Sequence, residues 1–141
     1  GNISSWAFML LVIYFLQVSD SHLPCLQKGG WFDSAFEDDS EAARTAQDEL
    51  AAGWFLWAPL HSLFCGFFAF YAEDFRWGSE VVSVRIGERA NIDDPNFAQL
   101  SGGKACRLHI EDALIRKQNL HSVLMRSREQ ELREAFRSSH A

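Results

Sequence analysis

Residues 60–86 read LHSLFCGFFAFYAEDFRWGSEVVSVRI, and two periodicities meet inside them. In the first part Leu60, Phe64, Phe67, Phe68 and Tyr71 fall at i, i+4, i+7, i+8 and i+11, the stripe of a helix packed along one side. Pro59 suits the first turn of that helix, because its missing N–H has no intrahelical partner there. Gly66 inside the stripe costs about 1 kcal/mol relative to Ala, so its presence predicts close approach by another element. In the second part Val81, Val82, Val84 and Ile86 are β-branched, and Glu80 to Ile86 reads as a short strand. A long aromatic helix leading into a short strand predicts a mainly α domain with a small β element.

Toward the N-terminus, Ala7 to Leu16 is an uninterrupted apolar run behind Ser4 and Ser5, which are suited to capping. A helix from Ser5 to about Val18, apolar nearly all round, belongs in the middle of a core. A membrane span needs about 20 such residues, and this run is about half that. A secretory leader would want basic residues ahead of it, and none stands there. The opening glycine, with the apolar run so close behind, reads as a cut inside a larger protein. Asp20-Ser21 and Leu23-Pro24 end the helix, and an acidic insert follows with a polar, Ala-rich helix over 40–52.

Toward the C-terminus, residues 87–104 look like loop, with Asp94-Pro95 and Gly102-Gly103 as breakers. Ala105 to Ile110 makes a second strand, so a two-stranded sheet is expected. A last helix from about Ser122 to Ser138 carries Met125, Leu132 and Phe136 on one side. The organisation expected is therefore a helical part with the acidic insert over 1–58, a second region over 59–125, and a C-terminal helix over 126–141.

The bulk numbers agree with one folded domain. The chain has 141 residues, 48% hydrophobic and 23% charged, with 12 Phe and 5 Trp, which excludes the disordered class. Net charge is −6, but it is uneven: residues 1–103 hold 5 Lys/Arg against 14 Asp/Glu, and residues 104–141 hold 8 against 5. A basic tail behind an acidic body can hold phosphates locally, and it can equally be a solvated helix face. Cysteines at 25, 65 and 106 form no Cys-x-x-Cys pair and no metal-spaced cluster, as in reduced thiols of an intracellular protein.

Three segments, in order, carry a resemblance. The first is Ser4-Ser5-Trp6-Ala7-Phe8-Met9-Leu10-Leu11-Val12-Ile13-Tyr14-Phe15-Leu16-Gln17 with Leu23-Pro24-Cys25-Leu26-Gln27. The second is Leu63-Phe64-Cys65-Gly66-Phe67-Phe68-Ala69-Phe70-Tyr71-Ala72-Glu73-Asp74-Phe75 with Val81-Val82-Ser83-Val84-Arg85. The third is Ile110-Glu111-Asp112 followed by Asn119. Together they resemble the terminal uridylyltransferases and cytoplasmic-type poly(A) polymerases, over roughly residues 4–125. The second segment is similar to the start of that family's poly(A)-polymerase-associated region. The resemblance implies a helical nucleotide-recognition domain with a short two-stranded sheet, packed on a nucleotidyltransferase domain that is missing here. It implies UTP or ATP and an RNA 3′ end as partners, no membrane, and a cytoplasmic setting, with nucleus or organelle left open.

The same resemblance assigns roles. Trp6 stands at the family's base-stacking Tyr; an indole also offers a π-face, though it could equally cap the core. Ser5 matches a serine near the triphosphate, at a helix N-terminus suited to an anion, and also suits an N-cap. Asp112 matches a family Asp that opens a helix, but Pro and Glu of the family motif are replaced by Ala113 and Ile115. Gln118 replaces a base-discriminating His, and its amide can donate or accept, so it serves uracil or adenine. Asn119 matches a family Asn and should tie down the loop. Arg116, Lys117 and Arg126 are the basic candidates for RNA phosphates.

The family's Asp carboxylates hold Mg²⁺ ions on the N-terminal domain, and no catalytic motif of that kind occurs in this sequence. Asp38-Asp39 and Asp93-Asp94 read as surface acids. The expectation is a fragment of an RNA 3′-terminal nucleotidyltransferase, inactive alone, adding UMP or AMP, with similarity leaning toward UMP. A catalytically dead paralogue acting as an interaction domain is the alternative. An unrelated helical domain whose aromatic stripe is only core is a third.

Overall fold

The computed structural model describes residues 3–19, 23–25, 48, 58–100, 108–115, 118–120 and 126–140. The expected helix over 40–52 lies outside them, apart from Asp48, which is helical and exposed.

Helix α1 spans Ser5–Val18, and Ser4 caps it by accepting a hydrogen bond from the Ala7 N–H at 3.1 Å. Ala7, Leu10, Leu11, Tyr14 and Phe15 are buried along one side. The other side is not, since Phe8 is 42% and Met9 49% exposed. The helix therefore lies at the edge of the described core rather than in its middle.

Helix α2, Leu60–Ala69, runs into a π-helical turn, Phe70–Asp74, closed by the Phe75 N–H donating to the Phe70 carbonyl at 2.8 Å. Phe70, Tyr71 and Ala72 are buried in succession along this turn. Tyr71 donates its hydroxyl to the Leu11 carbonyl at 2.7 Å and so joins the two helices. Gly66 faces Phe15, whose ring edge would lie 3.3 Å from an added Cβ, so the close approach expected of this glycine is present.

Strand β1, Glu80–Val82, sits between β2, Ala90–Asn91, and β3, His109–Ile110. It pairs antiparallel with β2 and parallel with β3. The sheet thus has three strands where two were expected, and the third comes from the 87–104 stretch read as loop. Two residues are too short for alternation to show in sequence. The strand at 80–86 also ends early, at Val82, and turns through 84–86.

The sheet separates two cores. Val82 and Ile110 belong to the main one, with α1, the aromatic residues of α2 and Trp77. Val81 faces the other way, into a small cluster with Ile92, Phe97 and Leu100. Asp94, read as a surface acid, caps the short 3₁₀ turn Pro95–Phe97 by accepting from the Asn96 N–H at 2.9 Å. Helix α3, Arg126–His140, closes the main core with Phe136, stacked on Tyr71 at a centroid distance of 5.3 Å. Leu132 packs beside it, and Met125 lies outside the described residues.

Candidate nucleotide-contact site

The loop after β3 is built on the backbone first. The Asp112 N–H donates to the Gln118 carbonyl at 3.0 Å, and the Gln118 N–H donates to the Ile115 carbonyl at 2.9 Å. Glu111 and Asn119 bridge as an antiparallel pair, and the Leu120 N–H returns to the Ile110 carbonyl at 2.9 Å. Ala113 and Leu120 seat the two ends on the main core. Asp112 and Gln118 are thereby joined at the end of β3, which makes the mouth of the loop between them.

Asp112 is 8% exposed, and its Oδ1 accepts from the Leu114 N–H at 2.9 Å and more weakly from the Ile115 N–H at 3.4 Å. This is an Asx turn, and the helix expected to begin here does not form in the described residues that follow. The absent Pro and Glu explain it: Ala113 does not preset the helical φ, and Ile115 cannot reach back to close a capping box. Leu114 and Ile115 instead stand 65% and 56% exposed.

Gln118 is exposed, and its side-chain amide makes no hydrogen bond among the described residues. Asn119 is half-buried and does tie the loop down. Its Oδ1 accepts from the Ile110 N–H at 3.1 Å, and its Nδ2 donates to the Leu100 carbonyl at 3.4 Å. Arg116 and Lys117 lie outside the described residues, as does the side chain of Arg126.

Ser5 and Trp6 occupy the first turn of α1, an element that packs against β1 and β3. The capping role falls to Ser4, which leaves the exposed Ser5 hydroxyl without a hydrogen bond among the described residues. Trp6 is 37% exposed, and no aromatic ring stacks on it among the described residues. The fold therefore gathers Asp112, Gln118 and Asn119 into one loop and puts Ser5 and Trp6 on a neighbouring element.

Two buried carboxylates brace this frame, and neither was singled out from sequence. Glu80, 2% exposed, accepts from the Tyr14 hydroxyl at 2.7 Å and from two nitrogens of Arg89 at 3.0 and 2.7 Å. Burial, then the bond to Glu80, pushes the Tyr14 phenol far above its ordinary value. Arg89 is raised too, chiefly by its own hydrogen bonds to Glu80, and reaches Asp74 at 2.9 Å. Glu111, also 2% exposed, accepts from the Ser83 hydroxyl at 2.5 Å and from Arg85 at 2.8 Å. The one available signal was polar residues alternating with valines in Val82-Ser83-Val84-Arg85.

Among the described residues no three His, Cys, Asp or Glu side chains converge as a metal-holding group, so no metal step is derived from them. Nor, among them, is any helix long and apolar enough to cross a membrane.

Comparison with known proteins covers this same stretch. Residues 59–117 match the family model described as Cid1 family poly A polymerase. Over 99% of its length the chain is 26% identical to a poly(A) RNA polymerase, GLD2, of Danio rerio. It spans 28% of that protein's length. The matched residues run from the start of α2 through the sheet into the Asp112 loop, and both comparisons support a likeness to the non-canonical poly(A)/uridylyl polymerase family.

Proposed function

We propose that this chain is the base-gripping part of an enzyme that adds UMP or AMP, without a template, to RNA 3′ ends. The observation that carries the reading is the Asp112–Gln118 closure at the end of β3, which brings Gln118, with no side-chain hydrogen bond among the described residues, beside a braced Asp112. Trp6 supplies a π-face for a base, and Ser5 a hydroxyl at a helix start for the triphosphate. The Mg²⁺ ions and the carboxylates that hold them belong to the rest of the longer protein. Gln118 is chemically indifferent between the two nucleotides, since its amide carries a donor and an acceptor. Similarity of the first two segments leans toward UTP, and the name of the fish relative, a poly(A) RNA polymerase, leans toward ATP.

Extension of a labelled RNA oligomer by the full-length protein, with Mg²⁺ and each of the four nucleotides in turn, decides between them. Extension with UTP alone or ATP alone assigns the substrate. No extension with any nucleotide overturns the enzymatic reading in favour of an interaction domain. With the preferred nucleotide, Trp6→Ala raises KM by roughly 5- to 150-fold, the loss of one base stack at about 1–3 kcal/mol. A KM unchanged by Trp6→Ala removes Trp6 from the site.

A further inference from the structure

The face of the sheet turned away from α1 carries a polar arrangement that the nucleotide reading does not use. His109 stands opposite Val81 in the parallel pair and is 4% exposed, beside the cluster of Ile92, Phe97 and Leu100. Its Nδ1 lies 3.5 Å from Nδ2 of Asn119. An Asn amide has one oxygen, and here that oxygen is committed to the Ile110 N–H. The nitrogen therefore faces the imidazole, and a hydrogen bond between them needs Nδ1 as the unprotonated acceptor. A protonated ring, a donor at both nitrogens, would set donor against donor.

The surroundings keep the ring in that form. Burial draws its titration below the ordinary histidine value of 6.5, and a hydrogen bond with the Gly78 backbone pulls the other way. The charged groups on the elements around it are Glu80 on β1, held by Arg89, Glu111 and Asp112 after β3, Glu111 being held by Arg85, and Asp93 and Asp94 after β2. None of them contributes to the shift.

We propose that His109 is a positioning residue for the loop 112–118: its unprotonated Nδ1 orients the Asn119 amide, and Asn119 pins the loop that presents Asp112 and Gln118. As a statement about nucleotide recognition this rests on the function proposed above; as a statement about the loop it does not. Protonation of His109 would turn the Asn119 amide or push it away, loosening its bonds to Ile110 and Leu100. The loop would then keep its backbone closure, the Asp112 turn and the seating of Ala113 and Leu120, and lose its Asn119 tie.

The test uses the full-length protein with His109→Asn, which keeps a neutral acceptor near the Nδ1 position, and His109→Leu, which removes it. Hydrogen exchange is followed in peptides covering 108–120, corrected for intrinsic rates, from pH 8 down to pH 5.5. Wild type and His109→Asn should be equally protected at pH 8. Wild type alone should lose protection toward the acid end of this range, below the ordinary histidine value, and His109→Leu should be less protected throughout. The KM for the preferred nucleotide should follow the same pattern, rising roughly 2- to 10-fold with little change in kcat, as for one lost buried hydrogen bond. Equal protection in wild type and His109→Leu, or parallel pH responses of wild type and His109→Asn, overturns the role of His109. Protection that changes as expected while KM stays constant refutes instead the assignment of this loop to the nucleotide.

Discussion

At the scale of single residues, the tightest constraint is Gly87. It follows the turn after β1 with φ +65°, a region that side chains with a Cβ rarely adopt. An added Cβ would lie 2.6 Å from Cβ of Cys25. Cys25 cannot retreat freely, because its thiol sits 3.3 and 3.1 Å from the Val84 and Arg85 carbonyls. Gln17 comes to the same place, donating to Val84 at 3.1 Å, so the end of α1 and the turn after β1 share one contact. Gly87→Ala should lose more than about 1 kcal/mol of stability, by positive φ and by collision together. Denaturant unfolding of the intact protein measures it. Adding Cys25→Ala to Gly87→Ala should recover little, because the collision with Cβ and the φ both remain; full recovery would mean that the thiol alone was the obstacle.

Among the elements, α3 shows how a charged helix is attached along one apolar side, against α2 and the π-turn. Most of its described residues are exposed, yet Phe136 is 2% exposed and meets Phe67 at 5.8 Å, Tyr71 at 5.3 Å and Trp77 at 6.4 Å between ring centroids. Arg133 adds its guanidinium over Trp77 at 5.7 Å. Phe136→Ala removes the ring at the centre of this set and should cost about 3–5 kcal/mol. Exchange in α3 should rise more than exchange in the sheet, and equal rises would show that α3 and the sheet open as one unit. The sequence made this helix legible through Leu132 and Phe136, and α1 through its cap and apolar run. What it did not show has a physical cause in each case. The strand at 90–91 has two residues, below any period. The π-turn is an added residue inside a stripe that still scans as helical. Asp112 was legible as a cap, but the turn it caps is an Asx turn because of what stands at 113 and 115. Asn119 was read correctly as a tie, and its partner His109 was invisible because the pairing crosses from a strand to a loop.

At the scale of the whole molecule, His109, Tyr14 and Tyr71 each make stability depend on pH. Below about 6.5 an unfolded chain protonates the imidazole of His109, whereas the folded chain resists it because burial lowers that ring's titration. The unfolded state then binds more protons, and stability falls as the pH falls. The two core tyrosines act at the other end. Burial, and for Tyr14 the bond to Glu80, raises both phenols well above 10. Above pH 10 the unfolded chain releases protons that the folded chain keeps, so stability falls as the pH rises. Each tyrosine contributes a slope of about 1.4 kcal/mol per pH unit once the unfolded phenol is ionised. Tyr14→Phe keeps the ring among Phe70 and Phe75 and removes one of these slopes, at the cost of one hydrogen bond to Glu80, which Arg89 still holds. In denaturant unfolding of the intact protein, the variant should start less stable than wild type at pH 8 and close the gap between pH 10 and pH 11.5. A gap that stays constant across that range would mean that the Tyr14 phenol ionises in the folded chain, and that the Tyr14–Glu80 contact joining α1 to the sheet is open to water.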